Sequence, residues 1–238
     1  MKTKAIIFDK DGTLLSFDSF WVKVSVKALE EIFTSLGVKN VEINEVLTSY
    51  GVKDGVTDID GILSKGTYRQ MGEILNEILL KHGHNFDTEK ITKLLHEAYD
   101  NNAEAGEFSP NTEDLKEYLN KFKEMGIKMA VVTTDNETVT AKCLKKLGIE
   151  SIFTKVYTDN GIYPTKPDPY CAFDFMKITK TEKENILMVG DTQTDVKFAR
   201  NAGIKVICIA KNEINKNKLS PLSDAVISNY KELYDIIK

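Results

Sequence analysis

Short apolar runs alternate with amphipathic stretches through the second half of the chain, and this alternation restricts the fold more than any other feature of the sequence. The apolar runs lie at residues 127–132, 152–157, 186–189, 206–209 and 225–227. Between them, apolar residues recur at helical spacing, as in the stripe from Leu115 to Met125 that Gly126 closes. Strands that alternate with helices are typical of a parallel sheet with helices on both faces. The sequence therefore predicts an α/β fold built on a doubly wound, Rossmann-like parallel sheet.

The first strand of that sheet is predicted at residues 5–8, where the unbroken apolar run AIIF leads into two carboxylates. Such a run is typical of a strand that is buried on both faces. Successive side chains of an extended chain point to opposite faces, so Asp9 and Asp11 can face the same way. Gly12 then permits a tight turn close to a ligand. Because open parallel sheets bind ligands at the carboxyl ends of their strands, we expect a site here.

A long helical segment interrupts this pattern, and we find no convincing strand in it. Its predicted helices lie near residues 19–36, along an apolar stripe at 68–79, and after Thr88 as a possible N-cap. Polar, turn-rich residues mark both of its ends. We therefore predict two domains, a core of residues 1–16 and 109–238 and an inserted helical domain of residues 17–108.

The composition disfavours several classes of partner. Lys and Arg total 32 against 36 Asp and Glu in 238 residues, a formal net charge of −4, which gives no electrostatic reason to expect nucleic acid or an anionic membrane. No apolar run approaches the length of a signal segment or a membrane span. The three cysteines, Cys143, Cys171 and Cys208, are an odd number, widely spaced in apolar segments, and are expected to be buried thiols. We expect a cytoplasmic protein, monomeric or homodimeric, that acts on a small soluble molecule.

Polar residues also follow two of the later apolar runs, and a lysine lies in a loop between two of the runs. They are Thr133 and Thr134 after one run, Lys166 in the segment TKPDP, and Asp191 and Asp195 in the segment GDTQTD. Each has an ordinary interpretation when taken alone. Thr133 is expected to end a strand or cap a helix, Lys166 to be a solvated surface residue, and Asp195 to cap a helix. Their functional interpretation depends on their occurring together.

These segments together resemble the motifs of the haloacid dehalogenase superfamily in its phosphatase branch. DKDGTL at residues 9–14 resembles the first motif, DxDGTL, and the three later segments resemble the others in the same order. The resemblance implies that Asp9 is a nucleophile that forms an aspartyl-phosphate and that Asp11 is a general acid and base. It also implies that Thr133 binds a phosphoryl oxygen and that Lys166 neutralises charge on the nucleophile and the phosphate.

The resemblance further implies a Mg²⁺ site and a set of substrate contacts. Asp9, the backbone carbonyl of Asp11 and Asp191 would coordinate Mg²⁺, and Asp195 would complete or support this metal site. Among the substrate contacts it implies are the loop residues Gly12 and Thr13 and the amide of Thr134. Residues 17–108 match the position of the mobile cap in phosphoglycolate phosphatases and β-phosphoglucomutases. Arg69 in this segment is a candidate anion-binding residue, although a solvated charge at a helix end is the commoner case.

We therefore expect a Mg²⁺-dependent phosphatase that hydrolyses a small phosphorylated metabolite, such as a phosphoglycolate-like compound or a sugar phosphate. Three alternatives remain open on the sequence. They are a sugar phosphomutase of the same superfamily, a phosphoacceptor signalling protein with negligible turnover, and a binding protein that kept the fold without catalysis. Lys10 receives no role, and its side chain is expected to leave the carboxylate face or to extend towards solvent.

Overall fold

The computed structural model describes residues 3–238, which divide into two compact units. One unit holds the chain up to Ser16 together with Phe108–Lys238, and the other holds Phe17–Glu107. The second unit is therefore a single continuous insertion in the first. Among the described residues, no helix combines the length and the apolar character that crossing a membrane requires.

The elements are numbered along the whole chain. The strands are β1 (Ala5–Phe8), β2 (Val52–Lys53), β3 (Val56–Thr57), β4 (Lys128–Val132), β5 (Lys155–Tyr157), β6 (Ile186–Gly190), β7 (Lys205–Ile209) and β8 (Ala225–Ile227). The α-helices are α1 (Lys23–Leu36), α2 (Ile43–Ser49), α3 (Ile62–Lys65), α4 (Tyr68–Lys81), α5 (Thr88–Asn101), α6 (Leu115–Glu124), α7 (Glu137–Leu147), α8 (Tyr170–Thr179), α9 (Gln193–Ala202), α10 (Glu213–Leu219) and α11 (Tyr230–Ile237). A π-helix, Asp18–Val22, precedes α1.

Six of these strands form one parallel sheet in the order β5-β4-β1-β6-β7-β8. The register pairs Phe8 of β1 with Val131 of β4 on one side and with Val189 of β6 on the other. The carboxyl ends of these three strands therefore lie next to one another. The chain first adds β4 and β5 on one side of β1 and then adds β6, β7 and β8 on the other side. The strand order therefore reverses at β1, and the carboxyl ends of the strands at such a point are where open α/β sheets bind ligands. The predicted α/β fold class is confirmed.

The sheet forms because its strands are apolar on both faces. All four residues of β1 and all five of β6 are buried, and helices cover them. On one face, the buried side of α6 packs with β1 residues Ile6 and Phe8 in a single cluster. This cluster also takes in Tyr230 and Leu233 of α11, so the last helix helps to close the core.

Sequence patterns located most elements of this unit but misplaced the start of one strand and left one helix open. The predicted helix at 137–147 matches α7, whereas the strand predicted at 152–157 begins only at Lys155 because Glu150–Ile152 form a 3₁₀ turn. The polar segment 212–218, expected to be a loop or a frayed helix, contains α10. Asn212 caps this helix by accepting the amide hydrogen of Asn215 at 2.8 Å.

The inserted unit is mainly helical and has an internal core of its own. Two buried tyrosine hydroxyls are satisfied inside the unit, since the hydroxyl of Tyr99 donates to that of Ser25 at 2.6 Å and the Tyr50 hydroxyl donates to the carbonyl of Met71 at 3.0 Å. The expectation of no strand here was wrong, because β2 and β3 form a short antiparallel hairpin. Two-residue strands are too short to show a period of two in the sequence. The N-cap of α5 is Asp87 rather than Thr88.

Candidate active site

A tight loop after β1 forms the centre of the candidate site. The carbonyl of Lys10 accepts the amide hydrogens of Leu14 and Leu15 at 2.8 and 2.9 Å, which folds the chain back on itself. Gly12 has a φ of 77°, a left-handed conformation that few other residues adopt without strain. A methyl group at Gly12 would also overlap the carboxylate of Asp191. The glycine therefore lets the loop approach β6 closely.

Lys166 joins the first strand to the fourth motif through two ion pairs. Its ammonium nitrogen lies 2.5 Å from a carboxylate oxygen of Asp9 and 2.6 Å from one of Asp195. The Lys166 side chain is only 4% exposed. A lysine buried to this degree needs such partners, because an unpaired buried charge is strongly disfavoured. The expected surface location of an average lysine therefore does not apply to Lys166.

Asp191 and Asp195 differ in how their oxygens are used. The second oxygen of Asp195 accepts from the backbone amide and the hydroxyl of Thr192, at 3.0 and 2.7 Å, in a capping box at the start of α9. Asp195 therefore has partners on both oxygens. Asp191 accepts a hydrogen bond from the hydroxyl of Thr13 at 3.2 Å. Carboxylate oxygens of Asp9, Asp191 and Asp195 all lie within 4.8 Å of one another.

The crowding of these acids changes their protonation. Burial raises the pKa of Asp9 to about 7, with Asp195 and Asp11 adding to the rise and Lys166 opposing it. Burial and the charges of Asp9 and Asp195 raise the pKa of Asp191 well above its ordinary value. Burial alone would lower the pKa of Lys166, but its two carboxylate partners raise it instead. The lysine is therefore charged, while the acids resist holding their charges together.

The charge balance of the site fits a divalent cation. Five carboxylates and two lysines meet at this edge of the sheet, a formal excess of three negative charges: Asp9, Asp11, Asp135, Asp191 and Asp195 with Lys10 and Lys166. Hard carboxylate oxygens are the donors that Mg²⁺ prefers, and it takes only one or two of them. Asp9 and Asp191 fit this requirement. Asp195 is already fully hydrogen bonded and fits a supporting position better.

The second motif places two threonines beside this cluster in the sheet. Thr133 follows β4 directly; it is buried, and its hydroxyl accepts the amide hydrogen of Asp135 at 3.1 Å. The N-cap of α7 is Asn136, so Thr133 does not cap that helix. Thr134 is exposed. The hydroxyl of Thr133 keeps its own proton available to a ligand.

The structure contradicts the expectation for Lys10. Its side chain is fully buried, and its ammonium group lies 2.7 Å from the Asp11 carboxylate and 3.0 Å from that of Asp135. The sequence interpretation missed both Lys10 and Asp135. In the sequence, a charged residue between two motif carboxylates is expected to be solvated, because the partner that neutralises its charge follows a different strand.

Other supporting residues were also missed. The side-chain amide of Asn111 donates to the Gly12 carbonyl at 2.6 Å, and the Tyr230 hydroxyl donates to the Thr13 carbonyl at 3.0 Å. Lys211 in turn donates to the carbonyl of Asn111 at 3.0 Å. These bonds join the first loop to residues far along the chain, and no local pattern in the sequence signals them.

The remaining predicted residues lie in different settings. The amide of Gly12 donates to the carbonyl of Leu15 at 2.8 Å, so it stabilises the loop itself. Arg69 belongs to the inserted unit, where its side chain is 82% exposed and pairs with Glu73 one helical turn away at 3.1 Å. This is the ordinary pattern of a solvated helix face. A role for Arg69 in anion binding stays a prediction.

Known proteins are similar to this chain in sequence. The family model of haloacid dehalogenase-like hydrolases matches residues 3–203. The pyrophosphatase PpaX of Halalkalibacterium halodurans is 24% identical over 243 residues, covering 100% of this chain and 98% of that protein. A phosphoglycolate phosphatase of Pseudomonas fluorescens is 25% identical over 232 residues, covering 97% of this chain and 78% of the relative.

The fold is also found among solved structures. YfnB of Bacillus subtilis, solved bound to magnesium, superposes with a TM-score of 0.73 at 19% identity and covers all of both chains. A likeness at this identity concerns the fold alone, whereas the family model spans most of the sequence and includes all four motif segments. The chain therefore belongs to the haloacid dehalogenase-like hydrolases.

Proposed function

We propose that this hydrolase is a Mg²⁺-dependent phosphatase that hydrolyses a small phosphorylated metabolite through an aspartyl-phosphate on Asp9. The observation that carries the proposal is the buried pair of Asp9 and Lys166, 2.5 Å apart at the end of the central strand. A buried ion pair that is crowded by further acids contributes little to the stability of the fold. It suits a nucleophile that must receive an anionic group.

In the first step, a carboxylate oxygen of Asp9 attacks phosphorus as the bond from phosphorus to the leaving oxygen breaks. Asp11 gives its proton to that leaving oxygen, so an alcohol departs, or inorganic phosphate where the substrate is pyrophosphate. Lys166 stays charged throughout, because its carboxylate partners raise its pKa, and it offsets the negative charge of the phosphoryl oxygens. The Thr133 hydroxyl and the Thr134 amide are the proposed donors to those oxygens.

In the second step, water attacks the phosphorus of the aspartyl-phosphate. Asp11, now a carboxylate, takes a proton from that water, and the bond between phosphorus and the Asp9 oxygen breaks. Inorganic phosphate leaves, and both aspartates return to their starting states. The close fit of Gly12 against Asp191 and the hydrogen bond from Thr13 to Asp191 support a role for these two loop residues in shaping the site.

Asp9 and Asp191, with the backbone carbonyl of Asp11, are the proposed Mg²⁺ ligands, and Asp195 is proposed to orient Lys166 beside them. A bound Mg²⁺ would offset the excess negative charge of this cluster and of the phosphate. The raised pKa values of Asp9 and Asp191 support this assignment, since both acids need a cation before they can be ionised together.

The substrate is proposed from chemistry and from the relatives. One relative is named a pyrophosphatase and another a phosphoglycolate phosphatase. Pyrophosphate and phosphoglycolate are therefore candidate substrates, along with sugar phosphates. We propose that the inserted unit, residues 17–107, acts as a cap that selects among these leaving groups. Its position in the chain between the first motif and the second supports this assignment. The cytoplasmic location stays a prediction.

The test is phosphate release from a panel that contains phosphoglycolate, pyrophosphate, hexose phosphates and p-nitrophenyl phosphate. The wild type is compared with Asp9→Asn in the presence of Mg²⁺ or of a chelator. Asp235→Asn serves as a matched control, because Asp235 lies on α11 in an exposed pair with Lys231. The proposal expects Mg²⁺-dependent turnover in the wild type and in the control, and its loss in Asp9→Asn.

The same panel separates the alternatives. An isomerised hexose phosphate without free phosphate would indicate a phosphomutase. A stable phosphorylated protein with negligible turnover would indicate a phosphoacceptor. Full activity in Asp9→Asn would refute the proposed nucleophile.

A further inference from the structure

A second buried lysine lies at the proposed site, and the mechanism above does not use it. Lys10 is 0% exposed, and its ammonium group contacts the carboxylates of Asp11 and Asp135 at 2.7 and 3.0 Å. Each of the two acids of the first motif therefore has a lysine of its own: Lys166 holds Asp9, and Lys10 holds Asp11.

Lys10 is fixed at both ends. Its backbone carbonyl accepts the amide hydrogens of Leu14 and Leu15 in the first loop. Its ammonium end is held by Asp135, whose backbone is itself fixed, since its amide donates to the Thr133 hydroxyl at 3.1 Å and its carbonyl accepts from Asp159 at 2.9 Å. A donor that cannot move restricts the carboxylate it contacts to one orientation.

We propose that Lys10, anchored by Asp135, is a positioning residue that aims the Asp11 carboxyl group at the leaving oxygen of the substrate. The inference rests on the proposed function, because it assumes that Asp11 transfers the proton. In that step the proton passes from the Asp11 carboxyl oxygen to the leaving oxygen while phosphorus transfers to Asp9. Such a transfer requires the carboxyl group within hydrogen-bond reach of the leaving oxygen, so orientation governs its rate.

A purely structural role for Lys10 is the competing explanation. Asp135 is a largely buried acid, and Lys10 could be present only to neutralise it. In that case, removing both charges together would restore the site. If Lys10 acts through Asp11, removing both charges would leave Asp11 without its donor, and the defect would remain.

The experiment compares two substrates whose leaving groups differ in their need for a proton. An alkoxide must be protonated as it leaves, whereas p-nitrophenolate is a stable anion and leaves without help. We would measure kcat/KM, which reports formation of the aspartyl-phosphate, for p-nitrophenyl phosphate and for the alkyl phosphate that the wild type hydrolyses best. The variants are Lys10→Met, Asp135→Asn and the double variant, with Lys145→Met on the exposed side of α7 as the control.

For Lys10→Met we expect kcat/KM on the alkyl phosphate to fall by about tenfold or more, a fraction of the full effect of a general acid. On p-nitrophenyl phosphate, kcat/KM should change by no more than about twofold, because this value excludes the hydrolysis of the aspartyl-phosphate, in which Asp11 acts as the base on either substrate. Asp135→Asn should show the same selective loss to a smaller degree, and the double variant should resemble Lys10→Met. Lys145→Met should match the wild type.

Three results would overturn the inference: an equal loss of kcat/KM on both substrates, an unchanged or raised kcat/KM on the alkyl phosphate, or recovery of the wild-type kcat/KM in the double variant. If Lys10→Met does not fold, as judged by loss of a cooperative thermal transition, Asp135→Asn decides the question, because it keeps Lys10 and removes only its anchor. The Asp9→Asn comparison remains independent. Loss of turnover in Asp9→Asn, with no selective effect at Lys10, would refute the inference and leave the proposed function standing.

Discussion

Replacing Asp9 by Asn is expected to stabilise the metal-free protein at alkaline pH, although it removes the proposed nucleophile. Burial raises the pKa of Asp9 from 3.8 to about 7. Between these two values the folded protein binds more protons than the unfolded chain, so the free energy of unfolding falls as the pH rises through this range. An asparagine at this position has no charge to lose and does not incur this penalty.

The size of the effect follows from the two pKa values. Each unit between 3.8 and about 7 is worth about 1.36 kcal/mol, so the penalty reaches up to about 4 kcal/mol once the pH exceeds 7. Asp9→Asn should therefore match the wild type at about pH 4 and exceed it by up to about 4 kcal/mol at about pH 8. Lys166 keeps its contact with Asp195 in this variant, so its charge remains paired.

Urea unfolding in the presence of a chelator, from about pH 4 to about pH 8, measures this difference. Asp224→Asn is a control of opposite sign, because the backbone amide of Val206 and the guanidinium of Arg200 outweigh burial and lower the pKa of Asp224. That variant should lose stability above the ordinary pKa of an aspartate and regain it as the pH falls, by less than about 1 kcal/mol for so exposed a pair. If Asp9→Asn is the less stable protein at about pH 8, or if the difference does not change with pH, the reasoning is wrong.

Three further outcomes are expected. Mg²⁺ at about one hundred times its dissociation constant should stabilise the wild type by about 2.7 kcal/mol in thermal unfolding, and Asp191→Asn should lose this gain; an equal gain in that variant would argue against the proposed ligand. Gly12→Ala should lower stability by at least about 1–2 kcal/mol and also abolish phosphate release. Gly126→Ala, with the same φ of 77° but open space around its Cβ position, should lower stability alone. Equal activities in the two glycine variants would contradict the packing argument. The three cysteine thiols, whose pKa values burial raises to about 11 or 12, should resist iodoacetamide in the native protein and react after unfolding, as mass spectrometry would show. Labelling of the native protein would refute this.

The fold was predictable from the sequence because its signals are local. The apolar runs that became β1, β4 and β6 are strands buried on both faces, and such runs stand out against amphipathic helices. The two-residue strands β2 and β3 gave no such signal, since they are shorter than any period that a pattern can show. The start of β5 was misplaced because an apolar residue looks the same in a strand and in a buried 3₁₀ turn.

The site was predictable only in part, because only some of its residues follow a local pattern in the sequence. Parallel strands bring their carboxyl ends together, so residues that follow the apolar runs, such as Asp9 and Asp191, were expected to meet. Lys10 and Asp135 were not expected to meet, because nothing in the local sequence of either residue shows that the other neutralises it. Long-range polar pairs of this kind depend on side-chain packing, which the periodicity of a sequence does not report.

The hydrogen bond from Tyr230 to the carbonyl of Thr13 affects when the first loop is fully supported during synthesis of the chain. The first motif is synthesised before Tyr230, which follows Thr13 by 217 residues. Tyr230 is fully buried and packs against Phe8, with 6.1 Å between ring centroids. The loop that carries Asp11 therefore lacks part of its support until α11 has left the ribosome. A nascent chain can therefore hold every motif residue while its first loop still lacks this hydrogen bond.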